Sequence, residues 1–398
     1  MTTIDRPGQR AEWHRAKVVL VCRPAIETLF AVLNTDAANF LRPFDPDEAR
    51  AEHEAMRASL EAHGARVVDV REALAGGDPT MLREAASRAL VYDAQPGVGD
   101  DDRAQLVALH QRTIAALGPS ALADIVMLRP VVRLRPNPDA LDVTCRFLAE
   151  FEVRPADNAY YMRDPMLTTA AGAVVGRMHL DVRRPENDVA ALVLAQLGIT
   201  PVLRVREPGF VEGGDFLPAA SYCLQGQGLL SDADGVGQLL DAGAYGDVEV
   251  AVVRDPRCRM DEMHLDTYFA FYGPTLAGIC DDRLGADEPE VDVWLPDETM
   301  AGRRCRKTRT VGFLDYLAEK QVDVLTFSKS EQEEFAANGL LVGEMDYLAV
   351  AGAGDAFLRR LRERGVRVDP LDFDALTGGY GGPHCSTQVL VRAGDPAE

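Results

Sequence analysis

The sequence predicts a closed, repeated α/β architecture, and two observations predict it. One phrase, an amphipathic helix followed by a break and a short β-rich strand, recurs five times along the 398 residues. Within each copy the apolar period switches from helical spacing of Leu and Ala to alternation of Val and Ile. The copies are HEAMRASLEAHG-ARVVDV (53–70), DVAALVLAQLG-ITPVLRV (188–205), GVGQLLDAGAYG-DVEVAVV (235–253), GFLDYLAEK-QVDVLTF (312–327) and GDAFLRRLRERG-VRVDPLDF (354–373). Gly64, Gly198 and Gly365 stand where a helix C-cap takes a left-handed residue. Five such units suit a closed repeat better than an open doubly wound sheet.

Each remaining stretch follows from the same reading. Lys17–Val21, Ala159–Met162 and Tyr268–Tyr272 read as further strands between the copies. The segment 78–152 breaks the rhythm and reads as a helical insertion, with MLREAASRALVYDA, DDRAQLVALHQRTIAALG, PSALADIVML and NPDALDVTCRFLAEF as its helices. No long linker divides the chain, so residues 1–398 are expected to form one catalytic domain.

Composition excludes several classes. The N-terminal MTTIDRPGQRAEWHRAK contains no apolar run resembling a signal segment, and nowhere do about 18 apolar residues follow one another, so no membrane partner is expected. The seven cysteines are scattered and never form CxxC, which points to reduced thiols in the cytoplasm. A net charge of -21 repels phosphate backbones and makes nucleic acid an unsuitable partner, while favouring a cationic one. Nothing fixes the oligomeric state, and a homo-oligomer stays open.

Four polar clusters carry the candidate chemistry, each read as lying where a strand ends and a turn begins: Asn158, Arg163 and Asp164 in ADNAYYMRDPM, Glu212 and Asp215 in FVEGGDFLP, His264 and Asp266 in MHLDTYF, and His384 and Cys385 in GGYGGPHCSTQ. Singly, each has a plain structural explanation as a turn, a capped glycine loop or a packed side chain. Together they fit one substrate. A guanidinium is planar, cationic and five-fold donating, so it needs paired carboxylates, for which Asp164, Glu212 and Asp266 are available. Its resonance-deactivated carbon calls for a thiolate rather than water as first attacker, and Cys385 supplies one. His264 can protonate the leaving amine and then activate water. The glycines Gly213, Gly214, Gly381 and Gly382 would let backbone approach a flat substrate. Glu212, His264, Asp266 and His384 also have metal-ligand chemistry, but HExxH spacing and a dense Cys/His cluster are missing. Neither a GxSxG elbow, a GxGxxG nor a GxxxxGK[ST] motif occurs.

The order of motifs resembles the arginine deiminases of the guanidine-modifying (pentein) superfamily over nearly the whole chain: KVVLVCRP, the acidic FDPDEARAEHEAM, RDP, EGGD, MHLDT and a C-terminal GGPHC. The resemblance implies a five-bladed pseudosymmetric α/β-propeller with a helical insertion. It implies Cys385 as nucleophile, His264 as general acid/base, Asp164 and Asp266 as the guanidinium clamp, and Glu212 as a further partner. Asn158 falls where the family holds the amino-acid end of its substrate, and Arg183 near a carboxylate-binding arginine; Asp215 and Gly382 are further substrate-site candidates. No metal or organic cofactor is expected.

Two departures stand out. The family's GERT-like arginine after EGGD is replaced in GQGLLSD by Leu229 and Leu230, and Tyr380 stands where an arginine precedes the nucleophile. Either another basic stretch (RRCRKTR, 303–309) serves a substrate carboxylate, or the substrate is not plain arginine. The leading expectation is hydrolytic deimination of arginine or a derivative to a ureido product and ammonia, with repeated hydrolysis to an amine as a variant. The alternatives are amidino transfer to an amine, elimination from an N-hydroxyguanidine to a cyanamide, and a binding protein on the same scaffold. EGGD, rather than a DAAD-like version, favours hydrolysis over transfer.

Overall fold

The computed structural model describes residue 4 and residues 6–140, 146–297 and 305–394. All five helix–strand phrases fold as read, and in the second to fifth units each joins a hairpin that precedes it. In the second unit Met166–Thr168 pairs antiparallel with Ala173–Val175, helix Arg184–Gln196 crosses over, and Leu203–Arg204 returns parallel. The third repeats this with Phe216–Ala219, Tyr222–Gln227, helix Ala233–Ala242 and Glu249–Arg254. In the fourth, Phe269–Gly273 and Leu276–Cys280 are followed by helix Phe313–Glu319 and Asp323–Phe327. In the fifth, Leu340–Gly343 and Asp346–Val350 are followed by helix Asp355–Glu363 and Arg367–Leu371. A hairpin can be antiparallel with a tight turn, whereas the third strand needs the helix because parallel pairing requires a crossover.

The first unit shows how the ring closes. Ala16–Val21 pairs parallel with Arg66–Asp69 after helix Pro46–Ala62, but its antiparallel partner is Gln388–Arg392 from the other end of the chain. That pairing removes an open edge, and it seats the segment carrying Cys385 beside the first unit. Gly64, Gly198 and Gly365 adopt φ of 85°, 76° and 86°, the left-handed cap geometry expected of them. Inner strands such as Phe269–Gly273 and Leu276–Cys280 are buried along their whole length, as expected for strands covered on both faces.

Three expectations need correction. The segment 78–152 contains helices Pro79–Ala89, Asp100–Ala116 and Pro119–Leu128, but also a three-stranded sheet. In it Val91–Ala94 runs parallel to Val131–Pro136, and Phe147–Glu152 runs antiparallel to the same strand. The FLAEFE stretch has helix-forming composition, yet its pairing with Val131–Pro136 prevails, since strand preference is set by neighbours; residues 141–145 of the expected helix lie outside the described residues. Ala159–Met162 is not a strand but a run of tight turns, with Tyr161 N–H bonded to Asn158 O at 2.9 Å. Finally, the four polar clusters do not end strands. Each lies in the turn that leads into the first strand of a unit, or into the closing strand Gln388–Arg392.

Candidate active site

Those entry turns converge. Asp164 lies two residues before Met166–Thr168, Glu212 and Asp215 precede Phe216–Ala219, His264 and Asp266 precede Phe269–Gly273, and Cys385 precedes Gln388–Arg392. The fifth turn, before Leu340–Gly343, contributes Asn338, which the sequence reading passed over. All of these side chains are buried. Equivalent position in each unit was the signal for Asn338: a polar residue two places before a strand, as at Asp164.

His264 Nε2 lies 3.0 Å from Glu212 Oε2, and its Nδ1 lies 3.8 Å from Asp164 Oδ1. Glu212 is aimed by a hydrogen bond from His179 N–H to its other oxygen at 2.9 Å. Burial opposes a charge on the imidazole, but Asp164, Glu212 and Asp215 outweigh it and hold the pKa of His264 up at about 10. A protonated, acid-ready histidine results. Asp215 does not line the cavity; its Oδ1 accepts the Leu265 N–H at 2.9 Å and locks the EGGD turn to the His264 turn. Gly214 is there for the same packing, since a Cβ would stand 2.6 Å from His264 Nδ1.

Across the cavity, Cys385 Sγ donates to Asp266 Oδ2 at 3.6 Å. Burial, then the charges of Asp266 and Asp164, push its thiol well above the ordinary value, so in the free protein the thiol is protonated. The same Asp266 oxygen is 2.7 Å from His384 Nδ1, and His384 Nε2 is 3.7 Å from Glu12 Oε2. Glu12 is in turn held by Arg392 at 3.0 Å and lies 4.0 Å from Arg163. Burial works against the charge on Glu12, but Arg392 and His384 prevail and bring it down to about 2. His384 therefore ties the Asp266 carboxylate to a buried ion network beside Cys385.

Asn338 fastens this side of the site. Its Oδ1 accepts from Gly382 N–H at 2.8 Å and Cys385 N–H at 3.2 Å, and its Nδ2 donates to Asp266 O at 3.0 Å. Gly382 thus faces Asn338 and is not part of the cavity wall, and the glycines make room for the protein's own turns rather than for a substrate. Asn338→Ala is expected to cost about 2–4 kcal/mol in urea unfolding, because buried N–H and C=O groups lose their partners. Its kcat should fall more than its KM rises.

The cavity is lined by Asp164, His264 and Cys385 together with Asn39, Asn158, Thr267 and Tyr380, while Glu212 and Asp266 touch His264 and Cys385 from outside its wall. Asn158 donates to Ala38 O at 2.9 Å and holds helix Thr35–Ala38 against the opening. Arg183 also lines it, but not as a free anion receptor. Its Nη1 donates to Asp164 Oδ2 at 2.9 Å, and Nε and Nη2 clasp Glu186 at 3.1 and 2.8 Å. Leu230 is buried. Arg303 and Arg304 of the basic run lie outside the described residues; Arg306, Lys307 and Arg309 sit on strand Cys305–Gly312, paired with Asp297, Asp292 and Glu319, and none lines the cavity. Asp164, Glu212 and His264 offer ligand atoms within 4.8 Å of one another, a spacing a metal would accept. A cation of the chain is already there, with Arg183 Nη1 4.0 Å from Glu212 Oε2.

Solved structures share this architecture. The dimethylarginine dimethylaminohydrolase of Pseudomonas aeruginosa, complexed with citrulline, superposes over 94% of this chain and 99% of its own with a TM-score of 0.54 at 15% identity. The N-terminal domain of an arginine dihydrolase from Cyanobacteria covers 94% of this chain and 97% of its own at 0.57 and 12% identity. An amidinotransferase from Microseira wollei covers 98% of both chains at 0.55 and 12%. The fold is the pentein α/β-propeller of guanidine-modifying enzymes. Within that class the arginine deiminase model matches residues 39–392, and the chain belongs to the arginine deiminase family, hydrolases of amidine C–N bonds. The arginine deiminase of Halobacterium salinarum is 25% identical over 96% of both proteins, and that of Listeria welshimeri 26% identical over 61% of this chain and 63% of its own. Among the described residues no helix is long and apolar enough to cross a membrane.

Proposed function

We propose that this chain hydrolyses the guanidino group of arginine or an arginine derivative through a covalent Cys385 intermediate, giving a ureido product and ammonia. One observation carries the reading. Asp164 Oδ1 and Asp266 Oδ1 are both buried without a hydrogen-bond partner, the first beside His264 and the second on the carboxylate that Cys385 touches. Unpaired buried carboxylate oxygens are costly, and a guanidinium supplies the N–H donors that both oxygens lack.

Binding that cation offsets the negative field holding the thiol protonated, so the substrate itself promotes ionisation of Cys385, whose proton passes to solvent. The thiolate adds to the guanidinium carbon, forming a C–S bond. The protonated His264 gives its proton to one nitrogen, a C–N bond breaks, and ammonia leaves. The neutral imidazole then removes a proton from water as the water adds to the thiouronium carbon. Collapse breaks the C–S bond as the new hydroxyl gives up its proton, which resets Cys385 to the thiol of the free protein, and the ureido product leaves. Identification of the products by mass spectrometry tests the reading. A ureido compound with one ammonia per turnover is expected; an amine acceptor carrying the amidino group, or a cyanamide, would replace it with another reaction.

A further inference from the structure

We propose that the site selects guanidines whose tail carries no carboxylate, an inference that rests on the guanidine chemistry above and specifies its substrate class. A carboxylate-bearing tail needs a cation with free donors near the cavity, and among the described residues that line it none offers one. Asn39, Asn158, Met263, Thr267 and Tyr380 are uncharged. The cation that lines the cavity, Arg183, is buried and spends its fork on Glu186 through two hydrogen bonds and on Asp164 through a third. Turning it toward a substrate anion would leave Glu186 buried without its counter-ion, which costs more than a new surface-like pair returns.

The mouth points the same way. Tyr380 occupies a left-handed conformation, φ 79°, with its ring edge-on to Phe335 at 6.1 Å between centroids. Burial, then the charges of Asp261, Glu262 and Glu333, raise the pKa of its hydroxyl, with Arg259 acting the other way. Arg259 is itself clasped by Asp261 at 2.8 and 2.5 Å. Glu262 is held by Lys329 at 3.0 Å and Arg283 at 2.6 Å, so these cations are matched too. An anionic tail entering here would meet neutral walls and ion pairs that are already matched, with no free cation to receive it, whereas an uncharged tail needs none. The net charge of -21 adds to this discrimination at a distance.

The test compares kcat/KM of the full-length enzyme for agmatine, N-butylguanidine and arginine amide with that for arginine. The carboxylate-free compounds should exceed arginine by about tenfold or more, mainly through KM. Tyr380→Arg, which places a cation at the mouth at a position already strained for any side chain, should shift the ratio toward arginine. Turnover of arginine equal to or better than the carboxylate-free compounds overturns the inference while leaving the chemistry standing. Turnover of none of the four overturns the chemistry, and this inference with it.

Discussion

Replacing Cys385 with alanine is expected to lower kcat/KM for every guanidine substrate by about 10^4-fold or more, the scale on which covalent nucleophiles count. The argument is chemical before it is structural. A guanidinium carbon shared among three nitrogens resists water, and with the thiol gone the paired carboxylates only stabilise the ground state of a bound cation. The fold should survive. Cys385 is a small buried residue, and alanine keeps its backbone N–H contact with Asn338 at 3.2 Å, so the cost in stability should be about 1 kcal/mol. Steady-state ammonia release, read beside a circular dichroism melt, separates the two effects. Undiminished turnover in a folded alanine variant would remove the covalent mechanism and leave the carboxylates and His264 to be explained some other way.

The repeating frame was legible because each unit states its own secondary structure locally. Helix Pro46–Ala62 with strand Arg66–Asp69, or helix Asp355–Glu363 with strand Arg367–Leu371, shows its change of period and its glycine cap within twenty or so letters. That Asp164, Glu212, His264, Asp266 and Cys385 belong together was legible for another reason: a substrate with a planar cation would demand residue types that few other chemistries combine. What stayed hidden depends on distance in sequence. Phe147–Glu152 is a strand because Val131–Pro136 lies alongside it, and nothing in its own letters states that partner. The Asp266–His384–Glu12 chain joins residues from both ends and the middle of the protein, and its members look like ordinary polar residues until the closing strand brings them together. Arg183, read as a candidate for the substrate's carboxylate, lines the cavity with its fork held by Glu186, a charge three residues away at a helix start that the sequence reading did not weigh.

Asp266→Asn is expected to move two measurements in opposite directions, and that divergence makes it informative. In the free protein Asp266 stays charged. Burial favours its neutral form, but the hydrogen bond and charge of His384, with His264 and Arg163, hold its carboxyl below the usual range. That charge stands 3.6 Å from Cys385 Sγ and, after burial itself, is the main force raising the thiol. Removing it lowers the thiol pKa, which means more thiolate near neutral pH, so alkylation of Cys385 by iodoacetamide at pH 7 should quicken by about tenfold or more. Turnover should nonetheless drop by about 10^2- to 10^3-fold, since a guanidinium loses one of its two carboxylates and the developing charge its preorganised partner. A residue that merely supported the fold would slow both reactions or neither. A variant in which alkylation and turnover fell together would place Asp266 among the structural contacts of His384 and leave Asp164 as the sole clamp.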